Sequence, residues 1–140
     1  MNKRFYLDTS IWLDLIEERN ESNLPKSKLA KEFLNKIISK NYWIIYSEII
    51  SDELKSLGYT DYDIENLIAR PFKDIIIVAY FIQEFFGKAK DLSNKREIPV
   101  LDALHALIAR DQKAILITRD KHFKRLIDIV KSKKPEEILI

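Results

Sequence analysis

Four acidic residues stand where an enzyme built on a parallel sheet would place its chemistry. Each follows a short apolar run or lies early in a helical segment: Asp8, Glu53, Asp102 and Asp120. Taken singly, each also fits a structural role, because aspartate caps helices and acidic residues favour the first helical turn. Together, four carboxylates at one edge of a sheet would repel one another unless a cation lay between them. Oxygen ligands without thiols favour Mg²⁺ or Mn²⁺ over zinc.

The composition excludes several other kinds of site. The 140 residues contain no cysteine, so thiol catalysis and thiolate metal sites are ruled out. The two glycines, Gly58 and Gly87, cannot build a P-loop or a GxGxxG turn, and neither flanks a serine as a nucleophile elbow requires. The formal net charge of +2 does not by itself indicate nucleic acid. Apolar runs are too short to span a bilayer, and no signal peptide is visible, so we expect a cytoplasmic protein without a membrane partner.

The elements that would position these acids alternate between strands and helices. Short runs rich in β-branched and aromatic residues predict strands at residues 4–7, 42–46, 74–79 and 114–118, with a weaker fifth strand at 138–140. Helical periodicity fills the segments between them. This alternation predicts an α/β fold, with residues 1–140 forming a single domain around a mainly parallel five-stranded sheet flanked by helices. Ligands of such sheets bind beyond the carboxyl ends of the strands, which is where the acids fall.

Four segments of the sequence carry a resemblance to a known family. They are Tyr6-Leu7-Asp8-Thr9-Ser10, Ser47 with Glu53 six residues later, Asp102-Ala103-Leu104-His105-Ala106, and Leu116-Ile117-Thr118-Arg119-Asp120-Lys121-His122-Phe123. In order and spacing these resemble the four signatures of PIN-domain nucleases. The sequence is most similar to the small prokaryotic members, including VapC-like toxins of toxin–antitoxin pairs. The resemblance covers the whole chain.

The resemblance implies a divalent-metal-dependent endoribonuclease that hydrolyses RNA phosphodiester bonds and leaves 5′-phosphate and 3′-hydroxyl ends. It implies that Mg²⁺ or Mn²⁺ is held by four catalytic acids: Asp8, Glu53, Asp102 and Asp120. Glu48 and Asp52 are alternatives to Glu53 on the same predicted helix. A toxin role implies a cognate antitoxin protein as partner. A free-standing RNA-processing nuclease and a non-catalytic PIN-like interaction domain remain alternatives.

Residues near the acids receive supporting roles. We expect the Thr118 hydroxyl to orient Asp120 or the attacking water, and Ser10 to act similarly near Asp8. Arg119 and Lys121 flank Asp120, so they either contact RNA phosphates or are ordinary solvated charges.

Three further features are open to a structural or a functional interpretation. His105 and His122 are interpreted as packing or surface residues rather than ligands. The lysine-rich segment 131–134 either follows an RNA backbone or is a solvated tail before the last strand. The aromatic residues Phe81, Phe85 and Phe86 would allow a homodimer interface.

Overall fold

A five-stranded sheet forms the centre of the molecule. The computed structural model describes residues 3–80 and 83–138. The strands are β1 (Arg4–Leu7), β2 (Trp43–Ser47), β3 (Ile76–Ala79), β4 (Ile115–Ile117) and β5 (Ser132–Lys133). They lie in the order β3-β2-β1-β4-β5, and every neighbouring pair is parallel. This confirms the predicted α/β class, and the sheet is parallel throughout.

Helices connect the strands and supply the rest of the core. They are α1 (Thr9–Ile16), α2 (Lys26–Ser39), α3 (Glu48–Ser56), α4 (Asp61–Ile64), which continues as the π-helical turn Glu65–Ala69, α5 (Glu84–Arg96) and α6 (Val100–Asp111). Short 3₁₀ segments follow at Lys121–Leu126 and Pro135–Glu137. The apolar runs of β1, β2 and β4 are buried because helices cover both faces of a parallel sheet. No helix among the described residues is long and apolar enough to cross a membrane.

The order of the strands creates a crevice between β1 and β4. From β1 the chain adds β2 and β3 on one side, and then returns to add β4 and β5 on the other. Connections that leave in opposite directions open a space beyond the carboxyl ends of the two central strands, where α/β proteins bind ligands. Asp8 follows β1 directly, and its backbone N–H donates to Ile117 O on β4 at 3.1 Å. The fold therefore places Asp8 beside the residues that follow β4.

The fifth strand differs from the prediction. The predicted strand at 138–140 is wrong at Ile138, which follows a 3₁₀ turn and is buried in the core, while residues 139–140 lie outside the described residues. The observed β5 pairs Ser132 with Leu116 and Lys133 with Ile117. This strand is two residues long and polar, as suits a sheet edge, where lysine discourages pairing with other chains. It lacks the apolar run on which strand prediction depends.

Candidate active site

Asp8 is buried and hydrogen-bonded at both carboxylate oxygens. It caps α1 by accepting from the Ile11 backbone N–H at 3.2 Å, and the Ser10 hydroxyl donates to the same oxygen, Oδ1, at 2.6 Å. The Thr118 hydroxyl donates to Oδ2. Burial raises the pKa of Asp8, while the hydrogen bonds from Ser10 and Thr118 oppose that rise. Asp8 is therefore held by donors from its own helix and from the end of β4.

Thr118 connects the two sides of the crevice. Its hydroxyl donates to Asp8 and accepts a hydrogen bond from the Asp120 backbone N–H at 3.0 Å. Its side chain is buried, so both bonds are shielded from water. Thr118 thus fixes the backbone of Asp120 and the carboxylate of Asp8 with one hydroxyl group. The contact to Asp120 lies at the backbone rather than at the carboxylate.

Glu53 is the acid of α3 that faces this end of the sheet. Its Oε1 accepts from the Thr9 hydroxyl at 2.8 Å and from His105 Nε2 at 2.5 Å. Burial raises the pKa of Glu53, but the hydrogen bond and charge of His105, together with the hydrogen bond from Thr9, outweigh it and leave the pKa lowered. The alternatives Glu48 and Asp52 are exposed. Among the α3 acids, Glu53 is therefore the one placed beside α1 and α6.

A buried hydrogen-bond chain leads from the sheet to Glu53. Ser47 Oγ and the Tyr6 hydroxyl are 2.6 Å apart, and the same hydroxyl lies 2.6 Å from His105 Nδ1. Burial raises the pKa of Tyr6 far above its ordinary value, so its hydroxyl remains protonated. A neutral His105 accepts from Tyr6 at Nδ1, whereas a protonated one donates there and Tyr6 donates to Ser47. In both states Nε2 carries a hydrogen and donates it to Glu53.

Asp102 and Asp120 share a histidine on the other side of the crevice. Asp102 lies in the first turn of α6, and Asp120 caps the 3₁₀ segment by accepting from the His122 backbone N–H at 2.9 Å. His122 Nδ1 lies 3.0 Å from Asp102 Oδ2 and 3.2 Å from Asp120 Oδ1. Burial and the charge of Asp120 raise the pKa of Asp102, while His122 lowers it. One ligand atom from each of these three residues lies within 4.8 Å of the others, close enough for one metal ion.

The four predicted acids thus form two adjoining pairs rather than one cluster. Asp8 and Glu53 are joined through α1, since Thr9 follows Asp8 and donates to Glu53. The second pair lies next to the first because α6 carries both Asp102 and His105, one helical turn apart. The charge of His105 lowers the pKa of Asp8 as well as that of Asp102. His105 therefore acts electrostatically on one acid of each pair.

Both histidines contact acids, which their interpretation as packing or surface residues did not include. His105 was expected to pack beside the site on the face of Asp102, and it is buried there with its Nε2 bonded to Glu53. His122 is exposed, yet it joins two of the acids. For His122, its position two residues after Asp120 was the available signal.

The two basic residues that flank Asp120 are placed differently. Arg119 makes two hydrogen bonds of 2.8 Å to Glu136, lies 3.9 Å from the buried Asp14, and has a side chain only 13% exposed. Its guanidinium therefore links the end of β4 to the C-terminal 3₁₀ turn. Lys121 is exposed beside Asp120 and remains placed to meet a phosphate.

The aromatic residues named for a homodimer interface do not form one exposed patch. Phe85 is buried in the core, Phe86 is at the surface, and Phe81 lies outside the described residues. Homodimerisation stays a prediction.

Comparison with known families identifies the family of this chain. The family model described as PIN domain matches residues 5–128, which include all four acids. This chain belongs to the PIN domain family. The resemblance seen in the sequence is thereby confirmed, and membership of this nuclease family implies nuclease activity. No curated protein matches the chain significantly by sequence.

Solved structures share the fold over nearly the whole chain. A chain of VapBC2 from Rickettsia felis, bound to a promoter DNA fragment, is 19% identical with a TM-score of 0.69, covering 94% of this chain and 98% of that one. VapBC-1 from nontypeable Haemophilus influenzae is 22% identical with a TM-score of 0.65, covering 95% and 98%. A toxin–antitoxin complex from Klebsiella pneumoniae is 22% identical with a TM-score of 0.63, covering 95% and 98%. At these identities the similarity establishes the PIN fold.

Proposed function

We propose that this PIN domain is a divalent-metal-dependent endoribonuclease that hydrolyses RNA phosphodiester bonds. The observation that carries the proposal is the cluster of Asp102, Asp120 and His122, beside which Asp8 and Glu53 are each oriented by hydrogen bonds from other residues. These side chains surround the crevice between β1 and β4, where parallel sheets bind ligands. With no cysteine in the chain, the carboxylates are its best-placed groups for hydrolysis.

The residues present fit Mg²⁺ or Mn²⁺. Asp102 and Asp120 offer carboxylate oxygens, which hard divalent ions prefer, and their ligand atoms lie within 4.8 Å of that of His122. The charge of Asp120 contributes to the raised pKa of Asp102, so a cation between them would relieve an existing repulsion. A bound divalent ion lowers the pKa of an attacking water and neutralises the charge that develops on the phosphate.

The chain's own residues orient the remaining acids of this proposed site. Ser10 and Thr118 fix Asp8. Thr9 and His105 both donate to Glu53 Oε1, so Oε2 is the oxygen to which no described residue donates a hydrogen bond. In this proposal Asp8 and Glu53 complete the ligand set with little reorganisation, because their carboxylates are already oriented.

A purified-protein assay tests the proposal. Wild-type protein is incubated with mixed-sequence RNA in Mg²⁺ or Mn²⁺ and separately in EDTA. We expect cleavage only with the metal, with 5′-phosphate products, and a loss of about 100-fold or more in Asp102→Asn. Asp111→Asn removes the same charge from an exposed position on the same helix and serves as the control. Equal cleavage in EDTA, or full activity in Asp102→Asn, would contradict the proposal.

The cellular role that we propose is that of a cytoplasmic toxin with a cognate antitoxin. Support comes from the fold shared with chains of VapBC proteins and of a toxin–antitoxin complex. Expression of the gene alone should then arrest growth, and co-expression of an adjacent gene should relieve the arrest. Harmless expression of protein that cleaves RNA in vitro would favour the free-standing RNA-processing alternative. Folded protein without any cleavage would favour a non-catalytic interaction domain.

A further inference from the structure

A basic groove opens directly beside the candidate active site. It has a volume of about 600 Å³ and lies between the end of β4, the 3₁₀ segment Lys121–Leu126 and the β5 region. Thr118 and Asp120 form part of its wall, so the groove is continuous with the crevice that holds the acids. Five lysines also line it, and we call it the lysine groove: Lys121, Lys124, Lys131, Lys133 and Lys134.

The lining of the lysine groove carries a net positive charge, because its five lysines and Arg119 outnumber its two acids, Asp120 and Glu137. Within residues 3–80 and 83–138, none of its five lysines forms an ion pair. Arg119 also lines the groove but is paired with Glu136. Uncompensated lysines concentrated in a concave surface produce a local positive potential that attracts polyanions. The chain's net charge of +2 does not reveal this cluster of lysines, because acidic residues elsewhere in the chain offset their charge.

We propose that the lysine groove binds the phosphate backbone of single-stranded RNA and leads the strand to the acids at Asp120. This inference rests on the proposed function, because it assigns a path to that function's substrate. Single strands are bound in positively charged grooves that follow their backbone. Lysine meets a phosphate as a point charge and does not read base edges, so binding should depend only weakly on sequence.

The lining of the groove favours a nucleic acid over an acidic protein segment. Protein interfaces depend on buried apolar and aromatic anchors. Among the described residues that line this groove, Ile127 is the one apolar side chain. Asp120 provides a second reason, because it lines the groove, so a strand bound there passes the candidate active site.

Two lysine pairs provide a matched test. Lys124→Gln/Lys131→Gln removes two charges from the groove. Lys40→Gln/Lys113→Gln removes two charges just before β2 and β4, at the amino ends of these strands. The acids lie at the opposite side, beyond the carboxyl ends of the strands. All four side chains are exposed, so both double variants should fold, which melting curves check. Binding of end-labelled single-stranded RNA and of DNA of the same sequence is measured by fluorescence anisotropy over a range of salt concentrations, in EDTA.

We expect the groove variant to bind RNA about tenfold more weakly than wild type at low salt, and the control within twofold. The slope of log affinity against log salt should fall by about 1.4 in the groove variant, because each phosphate contact on a single strand contributes about 0.7. The variant should lose affinity for DNA by a similar factor, since the two backbones share their phosphates. Equal RNA binding by both variants, or no RNA binding by wild type, would overturn the proposal.

Two further outcomes distinguish RNA binding in the groove from binding of an acidic protein segment and from the proposed nuclease activity. Labelled polyglutamate that binds the wild type and is lost in the groove variant, while RNA binding is unaffected, would assign the groove to an acidic protein segment and overturn the proposal. Since binding is measured in EDTA, it does not depend on cleavage. Weaker RNA binding by the groove variant together with a wild type that never cleaves RNA would support the groove and reject the proposed nuclease. Unchanged binding together with metal-dependent cleavage would do the reverse.

Discussion

The two acids after β1 and on α3 accept hydrogen bonds from several protein donors, whereas the two across the crevice share a single exposed histidine. Asp8 receives three hydrogen bonds, and Glu53 receives two. Asp102 and Asp120 both contact His122, and Asp120 also lines the lysine groove. The sheet therefore supports one fixed pair and one open pair at the same crevice.

Because of this difference, the two pairs should affect the stability of the fold in different ways. Removing a hydrogen-bonded carboxylate destabilises the fold, because it leaves donors without partners. Two carboxylates that face each other repel when both are ionised, and a bound cation relieves that repulsion. We infer that the fixed pair contributes mainly to architecture and ligand orientation, and the open pair mainly to binding of a cation.

The largest expected effect on stability comes from breaking the fixed pair. Asp8→Ala removes the α1 cap and leaves Thr118 and Ser10 without their acceptor. We expect the free energy of unfolding to fall by about 3 kcal/mol. Asp102→Asn should change it by less than about 0.5 kcal/mol, or raise it slightly. Urea denaturation in EDTA measures both, and a larger loss in Asp102→Asn than in Asp8→Ala would reverse the assignment.

The histidine of the fixed pair provides the next test. His105→Ala opens a cavity and deprives Tyr6 and Glu53 of a partner, so we expect a loss of about 2 kcal/mol. His105→Gln retains a donor toward Glu53 and should lose about 1 kcal/mol less. With Mn²⁺, we expect His105→Gln to retain more cleavage activity than His105→Ala at equal folded fractions. Equal activity in the two variants would show that the donor to Glu53 has no positioning role.

The dependence of stability on pH should have opposite signs for Asp102 of the open pair and Glu53 of the fixed pair. The pKa of Asp102 is raised in the folded state, so its ionisation costs stability once the pH exceeds its ordinary value near 3.8. The pKa of Glu53 is lowered, so its contribution is present above its ordinary value near 4.5 and is lost as the pH falls through the folded pKa. From about pH 3.5 to 7, Asp102→Asn should therefore gain stability relative to wild type, and Glu53→Gln should lose it. Denaturation in EDTA across this range checks both signs, and parallel curves would contradict the comparison.

The smallest effect is expected at Asp52, the neighbour of Glu53 on α3. Asp52 is exposed, so Asp52→Asn should change metal-dependent cleavage by less than about twofold. Glu53→Gln should reduce cleavage far more, because it removes a carboxylate of the fixed pair. The assay is the same RNA cleavage in Mn²⁺. A stronger effect at Asp52 would show that Glu53 is not the relevant acid of α3.

Strand prediction succeeded where an apolar run marks the strand. The run at residues 4–7 coincides with β1, and the runs at 42–46, 74–79 and 114–118 overlap β2, β3 and β4. β5 could not be found in this way, because two polar residues at a sheet edge carry no burial signal. The apolar residue Ile138 led to a false strand prediction, because it is buried in the core after a turn and does not pair with a strand.

The sequence predicts those parts of the candidate site whose positions follow from the order of strands in the sheet. Acids that follow β1 and β4 must lie near each other, because the carboxyl ends of neighbouring parallel strands lie side by side. The partners of His105 were not predictable, since Glu53 lies 52 residues away and the contact depends on how α6 packs beside α3. The role of Arg119 was equally hidden, because it depends on Glu136 in the C-terminal turn.

Thermal melting with Mn²⁺ tests the central claim most directly, namely that the open pair takes a cation. The melting temperature is measured for wild type, Asp102→Asn and Asp111→Asn in EDTA and at increasing Mn²⁺ concentrations. We predict a rise that grows logarithmically with Mn²⁺ in wild type and in Asp111→Asn, and no rise in Asp102→Asn, which should still be folded in EDTA. A full Mn²⁺-dependent rise in Asp102→Asn would contradict the account.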